Sequence, residues 1–168
     1  MMFTSIESFL NVWANEAEST QRILNACTDE SLHQQVTPQD RTLGRLAWHI
    51  VTSVHEMMSR TGLELEAAEH DSPVPASARD IAEQWKKASS NFEQAIRSQW
   101  TDSVLPEERD MYGEKWANGL TLFILIQHMV HHRGQLTVLM RQAGLKVPGV
   151  YGPAREEWSQ LGMEPPAV

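Results

Sequence analysis

Apolar residues recur at helical spacing in four separate stretches, and no stretch shows the strict alternation of a half-buried strand. The first stretch carries Ile6, Phe9, Leu10, Trp13, Ala17, Ile23 and Leu24 and runs to about Cys27. It opens on Thr4-Ser5-Ile6-Glu7, a capping-box spacing in which the Thr4 hydroxyl and Glu7 carboxylate satisfy free amides at a helix start. The second has Thr42 as N-cap, then Leu43, Leu46, Ile50, Val54, Met57 and Met58, with Gly62 placed to stop it. The third starts at Ser77-Ala78-Arg79-Asp80 and carries Ile81, Trp85, Ala88, Phe92, Ala95 and Ile96. The fourth opens near Asn118 and ends at Gly144.

The intervening stretches EAAEHDSPVP and TDSVLPEERDMYGEKW mix proline with charge and read as surface connections. The second is long for a bundle loop, and long loops often carry function. Beyond Gly144, LKVPGVYGPAREEWSQLG predicts a turn and then a short helix from Pro153. No repeat or low-complexity tract interrupts this order. The chain is therefore expected to form one all-α domain over residues 1–168. Its architecture should be an antiparallel four-helix bundle with long connecting loops and a short C-terminal helix.

The fourth helix departs from simple amphipathicity. With His128 set at zero, His132 falls at about 40°, Gln135 at about -20°, Leu139 at about 20° and Ile124 at about -40°. Leu122, Phe123, Ile126 and Val130 occupy the opposite side and are apolar too. A helix apolar all round is covered on more than one side. The sequence thus predicts a second contact surface and a homodimer, unless the long loop covers that face.

Charge and composition narrow the partners. Fourteen Lys and Arg against twenty-two Asp and Glu give a formal charge of -8. That balance argues against nucleic acid or an anionic membrane as the main partner, because both need a basic face. With Cys27 as the single cysteine, no internal disulfide can form. The opening MMFTSIESFL lacks the basic and apolar regions of a secretion signal. The apolar run LFILI is far short of the roughly 20 residues that span a bilayer. A cytoplasmic protein with a small-molecule substrate is the expectation.

The stretch HMVHH then draws attention. His128 and His132 project from one helical face a turn apart, a spacing that lets two imidazoles reach one metal ion. Two ordinary helix histidines would give the same spacing. A third ligand must come from elsewhere, and His49 lies in the inward stripe of the second helix between Leu46 and Ile50. Each neutral ring buried in a core needs partners for both nitrogens, and one ion would serve three of them. His131, at about -60°, sits at the edge of the stripe, and His55 points about 120° away from His49. His33 and His70 read as loop residues at the surface. Glu56, on the His49 face, is open to three readings: fourth ligand, acceptor for a ligand's other N–H, or a solvated carboxylate, the ordinary state. Three histidines without cysteine favour zinc, nickel or iron over magnesium or calcium. A coordination position left open would hold water or a substrate atom.

The string HMVHHRGQLTVLMRQAGLKVPGVYG, preceded by TLGRLAWHIVTSVHEMM, resembles the signature of the DinB/YfiT-like superfamily over nearly the whole chain. That resemblance implies a four-helix bundle, commonly homodimeric, with one divalent transition metal per chain, zinc or nickel. It places the metal on His49, His128 and His132 and leaves His131 a non-ligand. Relatives include bacillithiol S-transferases and mycothiol-dependent isomerases, while others are regarded as metal-dependent hydrolases. A low-molecular-weight thiol in the open position would be deprotonated by the metal, and the thiolate is the nucleophile that attacks a small electrophile. The hydrolase alternative uses the same position for water, whose pKa zinc lowers to about 7. A non-enzymatic, metal-stabilised stress-response binding module is the third reading.

Candidates for gripping an acidic thiol are Arg45, Glu56, Lys146 and Tyr151, although each taken singly is better explained as a surface charge or a packing hydroxyl. Arg133, at about 140° from His128, points away from the metal and is placed to fix a neighbouring helix or subunit. Gly134 would permit close helix approach. Trp48 and Trp116 either line a pocket or belong to the core.

Overall fold

A computed structural model describes residues 3–167. Four long helices dominate: α1 (Ile6–Asn25), α2 (Leu43–Met58), α3 (Ala78–Gln99) and α4 (Asn118–Gln142). The stop and start signals act largely where the sequence puts them. Thr42 caps α2 by accepting from Arg45 N, and Ser77 caps α3 by accepting from Asp80 N. Gly62 and Gly144 adopt φ of 81° and 77°, a left-handed conformation that side chains with a Cβ avoid. At α1 the cap shifts by one residue, from Thr4 to Ser5, whose hydroxyl accepts from Ser8 N at 3.1 Å. Ile6 N is then met by Asp102 Oδ1 at 2.8 Å, so a distant loop supplies part of the cap.

The helices pack in a ring in which α1 touches α3 and α4, and α2 touches α3 and α4. Trp13 Nε1 donates to Ser89 O, and Trp85 Nε1 to Ala17 O, a pairing that runs α1 and α3 in opposite directions. Phe9, Trp13, Trp85 and Phe92 fill this seam, with the Trp13 and Phe92 rings edge to face at 4.8 Å. The same opposition holds for α2 and α4. Between α2 and α3 the chain crosses the length of the bundle. Ala78 N, at the start of α3, bonds Asp29 Oδ1, while Gln99, at its far end, bonds the backbone of Glu64 just after α2.

Two elements differ from expectation. The long connection after α3 contains a hairpin, β1 (Glu108–Met111) paired antiparallel with β2 (Glu114–Ala117). Four-residue strands made mostly of charged residues bury too little to show alternation, which hides them from a periodicity reading. The turn is Tyr112-Gly113, with φ of 59° and 87°, matching the doubly left-handed geometry of a tight hairpin turn. The C-terminal segment forms only a 3₁₀ turn at Trp158–Leu161 rather than a helix from Pro153. Glu157 accepts from Gly149 N and Ala154 N, fastening the preceding loop in a way no helical period records.

The far side of α4 is partly covered by the chain itself, since Leu122 and Ile126 are buried while Phe123 and Val130 are half-buried. Gly134 is not a point of close approach within the chain, because an added Cβ there would meet nothing within 4 Å. Arg133 does fix a neighbouring helix. Its guanidinium is buried against α1, donating to Glu16 Oε2 at 2.6 Å, Glu16 O at 3.1 Å and Thr20 Oγ1 at 3.1 Å.

Candidate metal centre

His49 sits in the middle of α2 between buried Trp48 and Ile50, and faces α4. His128 and His132 face it from successive turns of α4. All three rings are partly buried. Their Nε2 atoms converge: His49 to His128 is 3.3 Å, and His128 to His132 is 3.2 Å. One ligand atom from each lies within 4.8 Å of the others.

This arrangement fits a shared ion better than a hydrogen-bonded trio. A proton on His128 Nε2 can be donated to one neighbour only, which leaves another lone pair facing its own kind. His128 Nδ1 is buried without a partner, so that ring has no alternative attachment. Tetrahedral ligands at 2.0–2.1 Å from an ion stand about 3.4 Å apart, close to the two separations seen here. His132 Nδ1 lies 2.8 Å from Gln135 Oε1, which only accepts, so the proton sits on Nδ1 and the Nε2 lone pair points to the cluster.

Electrostatics hold the rings unprotonated. Burial, followed by the neighbouring imidazoles, lowers His49 to about 3 and His128 to about 4. His132 is lowered by burial, with the Gln135 contact acting the other way. The neutral imidazole is the metal-ligating form. Arg41 contributes to the lowering at all three rings.

The remaining candidates disperse. Glu56 is not a solvated carboxylate: Arg60 Nε donates to it at 3.1 Å and the Tyr112 hydroxyl at 2.7 Å. Arg60 also lies over the Tyr112 ring, 4.6 Å from its centre. The hairpin is thereby clasped to the end of α2, and Glu56 remains close enough to His128 for its charge to favour the imidazolium. Tyr151 sits on the α1–α4 seam, its hydroxyl held by Arg133 at 2.7 Å and Glu16 at 2.9 Å, away from the histidines. Arg45 is half-buried and Lys146 exposed, and neither side chain makes a hydrogen bond or ion pair among the described residues. Trp48 is core, with Nε1 donating to Ser72 O at 3.0 Å, whereas Trp116 is half-buried beside Tyr112. His131 is exposed and accepts from Gln135 Nε2. His33 is exposed and His55 half-buried. His70 is exposed as expected, yet its ring lies 6.1 Å from His49, because the Trp48 bond draws the α2–α3 crossover alongside the site.

Three residues near the cluster had no distinguishing sequence signal as site residues. Gln135 is legible only as a member of the histidine stripe. Arg41 and Asp40 precede the cap of α2, in a turn that periodicity does not describe, and line a cleft of about 550 Å³ together with His132 and Gln135.

A helical bundle with three histidines converging from two facing helices defines a class of candidate metalloprotein. The chain belongs to the DinB family, which matches residues 2–166. It is 52% identical to YrdA of Bacillus subtilis (strain 168) over 167 residues, covering 99% of this chain and 100% of that protein. A DinB-like protein from Bacillus cereus superimposes with a TM-score of 0.87 at 51% identity, over 89% of this chain and 100% of that one. The DinB-like YjoA from Bacillus subtilis shares the fold at 17% identity, with a TM-score of 0.66 over 85% and 97% of the two chains.

Proposed function

We propose that this protein holds one divalent transition ion, zinc or nickel, on Nε2 of His49, His128 and His132, and transfers a low-molecular-weight thiol to a small electrophile. The observation that carries the reading is the convergence of the Nε2 atoms of three neutral imidazoles beside an open cleft. Such an ion, when bound, lowers the pKa of a thiol in its open position and makes the thiolate available at neutral pH. The chain's own part is to keep the ligands unprotonated through burial and to fix His132 in one tautomer through Gln135. The cleft supplies a partly apolar space in which the electrophile meets the sulfur. A closed site would instead suit a purely structural ion, and the cleft speaks against that.

The test is twofold. Elemental analysis of the purified protein is expected to show one transition ion per chain, lost in His49→Ala, His128→Ala and His132→Ala. Metal retained at wild-type level in all three variants would overturn the assignment. A model electrophile is then offered with bacillithiol, mycothiol, glutathione or no thiol. Thiol-dependent turnover supports the transferase, and turnover without thiol would mark a hydrolase acting through water.

We infer in addition that two copies associate through the outward strip of α4. Leu120 is exposed there, and Phe123 and Gly134 share the same side. Sedimentation equilibrium is expected to give twice the chain mass, with Leu120→Glu reducing it to a single chain mass.

A further inference from the structure

We infer that the cleft beside His132 takes a ligand bearing a carboxylate, which Arg41 binds while the ligand's apolar body lies against Leu46, Val138 and Leu139. This rests on the reading of the histidine cluster as a metal centre and adds the kind of molecule it serves. Arg41 is exposed and makes no ion pair among the described residues, although it stands in an acidic protein. Asp40, the acid beside it on the cleft wall, is turned back on Thr37, whose N and Oγ1 it meets at 3.1 and 2.8 Å. The Arg41 guanidinium thus lines the cleft without a salt-bridge partner among the described residues, the nearby Asp40 carboxylate being engaged by Thr37. Arg41 and the ligand candidate His132 line the same cleft, which places the guanidinium beside the metal centre.

The cleft walls are mainly apolar. Val36 and Val138 remain 63% and 55% exposed at its mouth, and Leu46 and Leu139 form its buried side. About 550 Å³ is the size of a small-molecule site. A single planar guanidinium matches a carboxylate, which it can grip through two parallel N–H donors. No Lys lines the cleft, and Arg41 is its one cationic lining residue, so a multiply charged phosphate would be poorly neutralised there. The carboxylate can arrive on the thiol or on the electrophile, and binding measurements separate the two.

The full-length protein is loaded with Co²⁺ and titrated with 3-mercaptopropionate or 3-mercaptopropan-1-ol, following the sulfur-to-cobalt absorption band. The carboxylate thiol is expected to bind about tenfold more tightly, as a charge-assisted pair implies. Arg41→Gln should abolish that preference and leave the affinity for the alcohol unchanged, which also shows that the variant is folded. Calorimetry with 3-phenylpropionate against 3-phenylpropan-1-ol reads the same preference for a ligand without sulfur. An Arg41-dependent preference in the thiol pair assigns the carboxylate to the thiol, and one in the phenyl pair assigns it to the electrophile. If neither pair shows a preference, or the preference survives Arg41→Gln, the inference falls. Equal binding of both thiols, together with equal binding of both phenyl ligands, would leave the thiol reading intact while removing the carboxylate. An Arg41-dependent preference for 3-phenylpropionate without any sulfur band would do the reverse.

Discussion

Gln135 shows how one amide can set the chemistry of a histidine. Its Oε1 accepts a hydrogen bond from His132 Nδ1–H, and its amide nitrogen donates to His131. That arrangement commits the His132 lone pair to the cluster before any ion arrives. Partners of this kind around a metal typically contribute 10–100-fold in affinity. Gln135→Leu is accordingly expected to weaken zinc binding by about that factor, whereas Gln135→Glu, which keeps the acceptor, should stay near wild type. Competition with a chromogenic chelator measures both. His131 is the contrasting residue: adjacent to a ligand in sequence, it points outward because one residue turns a helix by about 100°. The pairing of His128 with His132 was legible for that same reason. Arg41 was not, since a residue just before a helix cap has no periodicity to place it.

Between elements, the Arg133–Glu16 pair joins α4 to α1 inside the protein. The two side chains are only 3% and 11% exposed, so neither charge is well hydrated. Removing one partner leaves a buried charge uncompensated. Glu16→Ala is expected to destabilise the fold by about 3–5 kcal/mol, and Arg133→Met combined with Glu16→Leu by much less, because no lone charge remains. Urea unfolding of the single and double variants gives the comparison, and an equal loss in both would contradict it. The position of Arg133 on the side of α4 away from the histidines was readable from its helical angle; its partner on α1 was not. The hairpin is the opposite kind of case. Its strands Glu108–Met111 and Glu114–Ala117 exist through their mutual bonds, the turn at Tyr112-Gly113 and the clasp on Glu56. None of these leaves a repeating pattern of apolar residues.

For the whole molecule, the three lowered histidines couple folding to pH. An unfolded imidazole takes its proton near pH 6.5. In the folded, metal-free protein His49 does so only at about 3 and His128 at about 4. Between those limits the unfolded chain binds more protons, so stability should fall as pH drops from about 6.5 toward 3, and level off for these groups only below that. Urea midpoints of the metal-free protein at pH 7 and pH 5 are expected to show the loss. His49→Asn should show a smaller one, since it removes a group that the fold holds unprotonated. An ion bound at the same nitrogens adds competition with protons, so metal affinity should decline over the same range.

The sequence by itself determined the four helices, most of their caps and the inward placing of His49, His128 and His132. Those features depend on local periodicity and on hydrogen bonds within a few residues. Tertiary structure decided the rest. It set the helix from residue 43 against the helix from residue 118 so that Nε2 atoms 79 positions apart stand 3.3 Å from each other. It also folded the hairpin onto Glu56, drew His70 toward His49 and turned Arg41 toward the cleft. These juxtapositions join residues distant in the chain, and only packing fixes the distance between them.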